Sequence, residues 1–124
     1  RHGGIAFGPK PRSYRFTLNK KVRRIAMKSA FSTKVLEGSM IVVDNISMDE
    51  IKTKTMVKML ESLGADQKAL IVTPEANQMV IRSARNIPGV KTAAVNTLNV
   101  YDILGCDKFI IAREAVNKLT EVYA

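Results

Sequence analysis

The chain has 124 residues, of which 46% are apolar, and a formal net charge of +9 at pH 7. This length suits a single domain, the apolar content excludes wholesale disorder, and the apolar runs are too short to span a membrane. One cysteine excludes an internal disulfide, and one histidine far from it gives no metal-ligand spacing. No secretory signal opens the chain. We therefore expect no cofactor, no metal and no membrane partner.

The positive charge is concentrated at the amino-terminal end. The first 36 residues contain ten Lys or Arg and no Asp or Glu, whereas the remaining 88 contain ten basic and eleven acidic side chains. Ten uncompensated cations repel one another unless a polyanion lies against them. This distribution predicts a nearly neutral globular body with a nucleic-acid-binding segment.

Residues 1–18 (RHGGIAFGPKPRSYRFTL) lack the period of a helix or strand and hold three glycines and two prolines. They predict an extended basic arm with turns at Gly3-Gly4 and Gly8-Pro9, where proline also stiffens the chain. Aromatic rings among the cations would add stacking surfaces to phosphate pairing. These rings are Phe7, Tyr14 and Phe16.

A helix is predicted over residues 19–36, with Asn19 as its N-cap and Gly38 as its stop. The helical period places one set of side chains toward a core, namely Val22, Ile25, Ala26, Ser29 and Leu36. The opposite face carries the cations Lys20, Lys21, Arg23, Arg24, Lys28 and Lys34. Met27 and Phe31 project among these cations, where they could pack on a further segment or stack on a base.

After this helix the pattern alternates between strands and helices. The predicted strands are Met40–Asp44, Ala69–Thr73, Val90–Val95 and Phe109–Ala112, and three of them are almost continuously apolar, as parallel strands covered on both faces are. The first predicted helix after β-strand Met40–Asp44 starts within Met48–Thr53 and ends at Gly64. The other three predicted helices span Glu75–Asn86, Asn99–Leu104 and Arg113–Tyr123. The expected fold is a three-layer α/β/α sandwich over residues 19–124, with a four-stranded, mostly parallel sheet.

Details of this domain follow from side-chain patterns. Val90–Val95 carries Lys91 and Thr92 and is expected at an edge of the sheet, whereas Phe109–Ala112 is wholly apolar and is expected at its centre. The second helix has either a Ser47–Glu50 capping box or a Thr53 cap. Two inward stripes are predicted, Met56, Val57, Leu60 and Leu63 on the second helix and Ala115, Val116, Leu119 and Val122 on the last.

An enzymatic or nucleotide-binding α/β domain with an RNA-binding arm is the alternative. Asp44 follows a strand where catalytic aspartates often lie, but no glycine-rich phosphate-binding motif is present, and a turn or cap role is favoured. His2 lies in the glycine-rich arm, and Cys106 is most simply a small filler. No nucleophile has an activating base, so we predict no catalytic residue.

Seven strings occur in order along the chain: GGIAFGPKPR (Gly3–Arg12), KKVRR (Lys20–Arg24), IVVD (Ile41–Asp44), KTK (Lys52–Lys54), ALIVT (Ala69–Thr73), SARNIPGV (Ser83–Val90) and LNVYDIL (Leu98–Leu104). Together they closely resemble the bacterial large-subunit ribosomal protein four family over essentially the whole chain. The resemblance implies an α/β/α domain with the strand order first-fourth-second-third. It also implies that Arg1–Arg15 is the returning limb of a long loop, so that the family's amino-terminal segment and loop tip would precede Arg1.

The resemblance further implies a structural role in the cytoplasmic ribosome, where the chain would bind large-subunit ribosomal RNA, aid assembly and contact neighbouring ribosomal proteins. It implies no small-molecule substrate. Lys52, Lys54, Arg82 and Arg85 are equally consistent with plain helix-surface charge from spacing alone, and they gain weight as second-tier RNA contacts. The full set of expected RNA-binding residues is Arg1, His2, Lys10, Arg12, Tyr14, Arg15, Lys20, Lys21, Arg23, Arg24, Lys28, Lys34, Lys52, Lys54, Arg82 and Arg85.

Overall fold

The computed structural model describes residues 2–123, and it has the predicted alternation of helices and strands. A long helix precedes four strands that are separated by shorter helices, and a last helix closes the chain. In chain order the elements are α1 (Lys20–Leu36), β1 (Met40–Val43), α2 (Thr53–Ser62), β2 (Ala69–Thr73), α3 (Gln78–Ala84), β3 (Val90–Ala94), a 3-10 turn (Val95–Thr97), α4 (Val100–Gly105), β4 (Lys108–Ala112) and α5 (Arg113–Tyr123).

The four strands form one parallel sheet in the order β1-β4-β2-β3. The two inner strands are buried almost throughout, because each has a strand on both sides. The outer strands are partly exposed, and Val42 of β1 is 56% exposed. The predictions of a central Phe109–Ala112 strand, an edge strand at residues 90–95 and this strand order are confirmed.

Helices cover both faces of the sheet. Right-handed crossovers put α2 and α3 on one face, where they contact each other. On the other face, α1 contacts α4, and Phe31 of α1 packs edge-on against Phe109 of β4 and Tyr123 of α5, each with ring centroids 6.0 Å apart. The three-layer α/β/α sandwich is therefore confirmed.

The inward face of α1 differs from the predicted one. Met27, Ala30 and Lys34 are buried, and Phe31 is partly buried against the core. These four residues have the i, i+3, i+4, i+7 spacing of one helical face. The sequence pattern was misread because a lysine occupies one of the four inward positions.

The residues predicted to face the core from α1 lie mostly in solvent. Ile25 is 67% exposed and Leu36 87% exposed, Val22 and Ser29 are also exposed, and Ala26 is intermediate. All residues from 2 to 25 are exposed, so the first turns of α1 precede the point where the helix meets the sheet. The assignment of these apolar residues to the core is therefore wrong.

Lys34 is buried although it was predicted on the outward face. Its side chain is 6% exposed, and its Nζ donates hydrogen bonds to the Cys106 carbonyl oxygen at 2.8 Å and to the Glu37 carboxylate at 3.2 Å. A buried ammonium is tolerated only with such partners. Lys34 thus ties the end of α1 to the segment between α4 and β4.

Several helix boundaries also differ from the prediction. α2 begins at Thr53 with Lys52 as N-cap and no side-chain capping bond, so neither proposed cap forms. α3 is shorter than Glu75–Asn86, because the Asn77 side chain caps it by accepting from the Met79 amide at 3.0 Å.

The predicted inward stripes of α5 and α2 have different outcomes. On α5, Val122 is exposed and Tyr123 packs against the core instead. The Met56, Val57, Leu60 and Leu63 stripe of α2 is confirmed as buried or partly buried.

We predict that Lys34→Ala lowers the free energy of unfolding by about 1.5–3 kcal/mol, the usual worth of a hydrogen bond to a charged group. Urea unfolding measures this change. Lys21→Ala is the matched control, because it removes the same side chain from an exposed position of the same helix, and it should change stability by less than about 0.5 kcal/mol. Equal losses in the two variants would contradict the assigned role of Lys34.

Candidate nucleic-acid interface

The described part of the basic arm, residues 2–18, is exposed throughout and contains neither helix nor strand. A turn occupies His2 and Gly3, and within this segment only the Arg15 amide finds an acceptor, the Ser13 hydroxyl at 3.3 Å. The Arg12 guanidinium lies 4.1 Å from the centroid of the Tyr14 ring. The arm therefore presents cations and aromatic rings together on a backbone with free hydrogen-bonding groups.

The first turns of α1 continue this positive surface. No acidic residue lies in the first turn, and the Asn19 side chain makes no capping hydrogen bond. The positive end of the helix dipole therefore adds to the charges of Lys20, Lys21, Arg23 and Arg24 instead of being offset. A helix start with these properties favours anions such as phosphate.

The basic residues of the arm and of the start of α1 form one continuous exposed segment, which we call the basic segment. Among residues 2–123, none of them takes part in an ion pair. Its cations are Lys10, Arg12, Arg15, Lys20, Lys21, Arg23, Arg24 and Lys28. His2 and Tyr14 are exposed beside them, whereas Arg1 lies outside the described residues. Lys34 is removed from the predicted set, because its ammonium is buried and hydrogen-bonded within the fold.

The four residues expected as second-tier RNA contacts do not belong to the basic segment. Lys52 and Lys54 lie at the start of α2, and Lys52 is ion-paired with Glu50. Arg82 and Arg85 lie at the opposite end of the sheet, in the last turn and at the C-cap of α3. Both pairs belong to α2 and α3, in the helical layer opposite α1, and so lie outside the basic segment.

An exposed aromatic on α4 was missed by sequence reasoning. Tyr101 is 83% exposed, and it lies beside a groove with Lys68 and Arg85. These residues come from three separate segments that only the sheet brings together. The sequence gives one indication of this surface, which is a tyrosine in a short helix at a position outside the core.

The carboxyl ends of the strands, where an α/β enzyme would bind its ligand, form a cleft of about 570 Å³. Glu75 and Glu114 line this cleft, and no basic side chain does so within the described part of the chain. Glu75 is ion-paired with Lys118 and Glu114 has no described ion pair, so the described lining offers a nucleotide phosphate no cation. Asp44, the candidate at the end of β1, has a side chain 96% exposed and 4.0 Å from the Arg113 guanidinium, as expected of a turn residue.

The remaining reactive side chains do not form a catalytic site. Cys106 is buried, and burial raises the pKa of its thiol, which keeps it protonated and unreactive at neutral pH. Among residues 2–123, His, Cys, Asp and Glu form no group of three that could hold a metal ion. Over the same range, no helix is both long and apolar enough to cross a membrane.

Comparison with known proteins gives the family. The model of the ribosomal protein L4/L1 family matches residues 1–122. This chain belongs to that family. Proteins named large ribosomal subunit protein uL4 are similar to it: that of Ruminiclostridium cellulolyticum is 59% identical over 122 residues, that of Alkaliphilus oremlandii 57% over 122, and that of Acetivibrio thermocellus 55% over 123.

Each of these matches covers 98% of this chain but only 59% of the length of the relative. The resemblance found from the sequence motifs is thus confirmed. This family consists of structural ribosomal proteins and not of enzymes, in agreement with the prediction of a structural protein without catalytic activity.

We expect fast amide exchange across Ile5–Phe16 in the free protein, because this segment has almost no backbone hydrogen bonds and its cations repel one another. Hydrogen–deuterium exchange read by mass spectrometry measures it, with Phe109–Ala112 of central β4 as the protected internal control. Protection of Ile5–Phe16 comparable to that of β4 would show that the arm is folded onto the body without RNA.

Proposed function

We propose that the chain is a structural component of the large ribosomal subunit that binds ribosomal RNA through its basic segment. The observation that carries this proposal is the segregation of charge. None of the eight described cations of the basic segment pairs with a described carboxylate. All eleven Asp and Glu lie from Glu37 onward, where four of the ten body cations, Lys52, Lys91, Arg113 and Lys118, pair with a carboxylate. Unpaired cations on an extended segment need an external polyanion.

The arm is suited to RNA for a second reason. Its exposed rings can stack on unpaired bases, and Phe7, Tyr14 and Phe16 are each at least 75% exposed. An arm without a core of its own can also follow an irregular RNA surface and become ordered on it. This property agrees with a contribution to subunit assembly.

The membership in the L4/L1 family supports the same assignment. Relatives are named as large-subunit proteins, and by this similarity the chain would act in the ribosome, which lies in the cytoplasm of bacteria. Neighbouring ribosomal proteins are its expected protein partners. The exposed apolar side chains Val22, Ile25 and Leu36 of α1 give a surface that such contacts could cover.

The alternative, a nucleotide-binding or enzymatic domain, has less support. The cleft at the carboxyl ends of the strands is acidic, and the chain has no glycine-rich phosphate loop. Moreover, catalytic chemistry would not account for the unpaired cations of the basic segment.

The proposal predicts a steep dependence of RNA affinity on salt. If six to eight cations of the basic segment contact phosphates, the slope of log affinity against log salt should be about −4 to −7, at roughly 0.7–0.9 per phosphate. Changing Arg23, Arg24 and Lys28 together to Gln should reduce the slope by about 2–3 in magnitude. Filter binding or fluorescence anisotropy with large-subunit ribosomal RNA measures it.

The matched control changes Lys58, Arg113 and Lys118 to Gln, which removes the same total charge from the body. Lys118 is ion-paired with Glu75 at 3.2 Å and Arg113 lies near Asp44, so these two cations are already compensated. Lys58 lies on α2, outside the basic segment. The control should leave the slope nearly unchanged. Equal reductions in the two triple variants would mean that the charge acts as a diffuse field, and the proposed interface would be wrong.

A further inference from the structure

A second surface with features of an RNA site lies at the amino end of the sheet. There the starts of β2 and β3, the turn after α3 and helix α4 enclose an open groove of about 780 Å³, which we call the amino-edge groove. The side chains that matter for its chemistry are Lys68, Arg85, Ile87, Lys91, Tyr101 and Leu104. It lies at the opposite end of the strands from the acidic cleft.

The wall of this groove is fixed by close backbone packing. Gly89 has φ +77°, a conformation that side-chain-bearing residues rarely adopt, and its carbonyl oxygen accepts from the Ala69 amide at 3.2 Å. A Cβ at this position would lie 3.3 Å from the Gln67 carbonyl oxygen. The β2 and β3 starts therefore approach each other closely and form a rigid side to the groove.

The aromatic side of the groove is also held in place. The Asn99 side chain caps α4 by accepting from the Asp102 amide at 2.7 Å, and its Nδ2 donates to the Asp102 carboxylate at 2.7 Å. Lys91 of β3 donates to the same carboxylate at 2.6 Å. These hydrogen bonds lower the pKa of Asp102, that from Lys91 most of all. They fix α4, and with it Tyr101, against the edge strand.

The groove has a net positive charge available to a ligand. Among the described residues that line it, Asp102 is the one acidic side chain, and Lys91 compensates it. Lys68 and Arg85 line the groove, and neither forms an ion pair with a described residue. An anion is therefore the ligand that these charges favour.

The aromatic ring decides which kind of anion fits best. Tyr101 is 83% exposed, and the Lys91 Nζ lies 5.8 Å from its ring centroid. A bare ring in a groove lined with cations is an arrangement that binds unpaired bases. Every nucleotide supplies both a phosphate and a planar base, whereas an acidic peptide supplies a planar group only where it also carries an aromatic side chain.

We propose that the amino-edge groove binds an unpaired segment of RNA, with one base stacked on Tyr101 and adjacent phosphates paired with Lys68 and Arg85. This inference rests on the proposed function, since it gives the same RNA a second contact on the body. It also gives Arg85, a residue outside the basic segment, a place in the RNA interface.

The test is amide NMR of the full chain titrated with a single-stranded adenosine hexanucleotide. We expect shifts at the amides of Lys68, Lys91 and Tyr101–Cys106, in addition to those of the basic segment. Tyr101→Ala should weaken binding at the groove by about 5- to 100-fold, as expected for loss of one stacked base, and should leave the shifts of the basic segment unchanged. Tyr101→Phe is the matched control and should bind like the original chain, because it keeps the ring.

The outcomes separate this inference from the proposed function. Shifts confined to the basic segment would overturn the groove assignment and leave the proposed function intact, whereas no shifts anywhere would count against both. Groove shifts that persist at full affinity in Tyr101→Ala would rule out stacking. An acidic peptide with leucine and phenylalanine side chains is the second probe. If it shifts the groove amides and the hexanucleotide does not, the groove belongs to a protein partner and the inference is wrong.

Discussion

The buried ammonium of Lys34 fixes the rotation of α1 on the sheet, and the arrangement of charge in the molecule follows from it. Its hydrogen bond to the Cys106 carbonyl holds the last turns of α1 against the segment that leads into β4. Phe31, one turn earlier on the same face, packs between Phe109 and Tyr123. With the inward face set by these contacts, Lys20–Arg24 lie beyond the sheet, where every residue is exposed.

The residues that form the core are therefore largely different from those that we propose to bind RNA. The parallel sheet and its helices contain the described core, and most ion pairs are formed between residues of this body. The basic segment contributes little to the core, so its cations can stay unpaired without weakening the fold beyond their mutual repulsion. A polyanion that binds to the basic segment removes the repulsion among its cations. The charge distribution is therefore favourable only in the complex.

The α/β class and the central position of β4 could be predicted, because continuous apolar runs and helix stripes report burial directly, whereas the strand order came from the family resemblance. The inward face of α1 could not, since a lysine reads as a solvent residue unless the carbonyl that receives its ammonium is known. Met27 and Phe31 are the signs of the true inward face in the sequence, because two large apolar side chains lie among the cations of the predicted outward face. The amino-edge groove was also beyond the sequence, because Lys68, Arg85 and Tyr101 converge only through the strand order.

The central claim is that RNA covers the basic segment and leaves exposed the parts of the body that carry Lys58 and Lys118. Lysine acetylation read by mass spectrometry, in the presence and absence of large-subunit ribosomal RNA, tests it most directly. We predict that RNA protects Lys10, Lys20, Lys21 and Lys28, that Lys58 and Lys118 stay reactive, and that buried Lys34 reacts slowly in both states. Equal protection of Lys58 and of the basic segment, or rapid acetylation of Lys34 in the folded chain, would contradict the account.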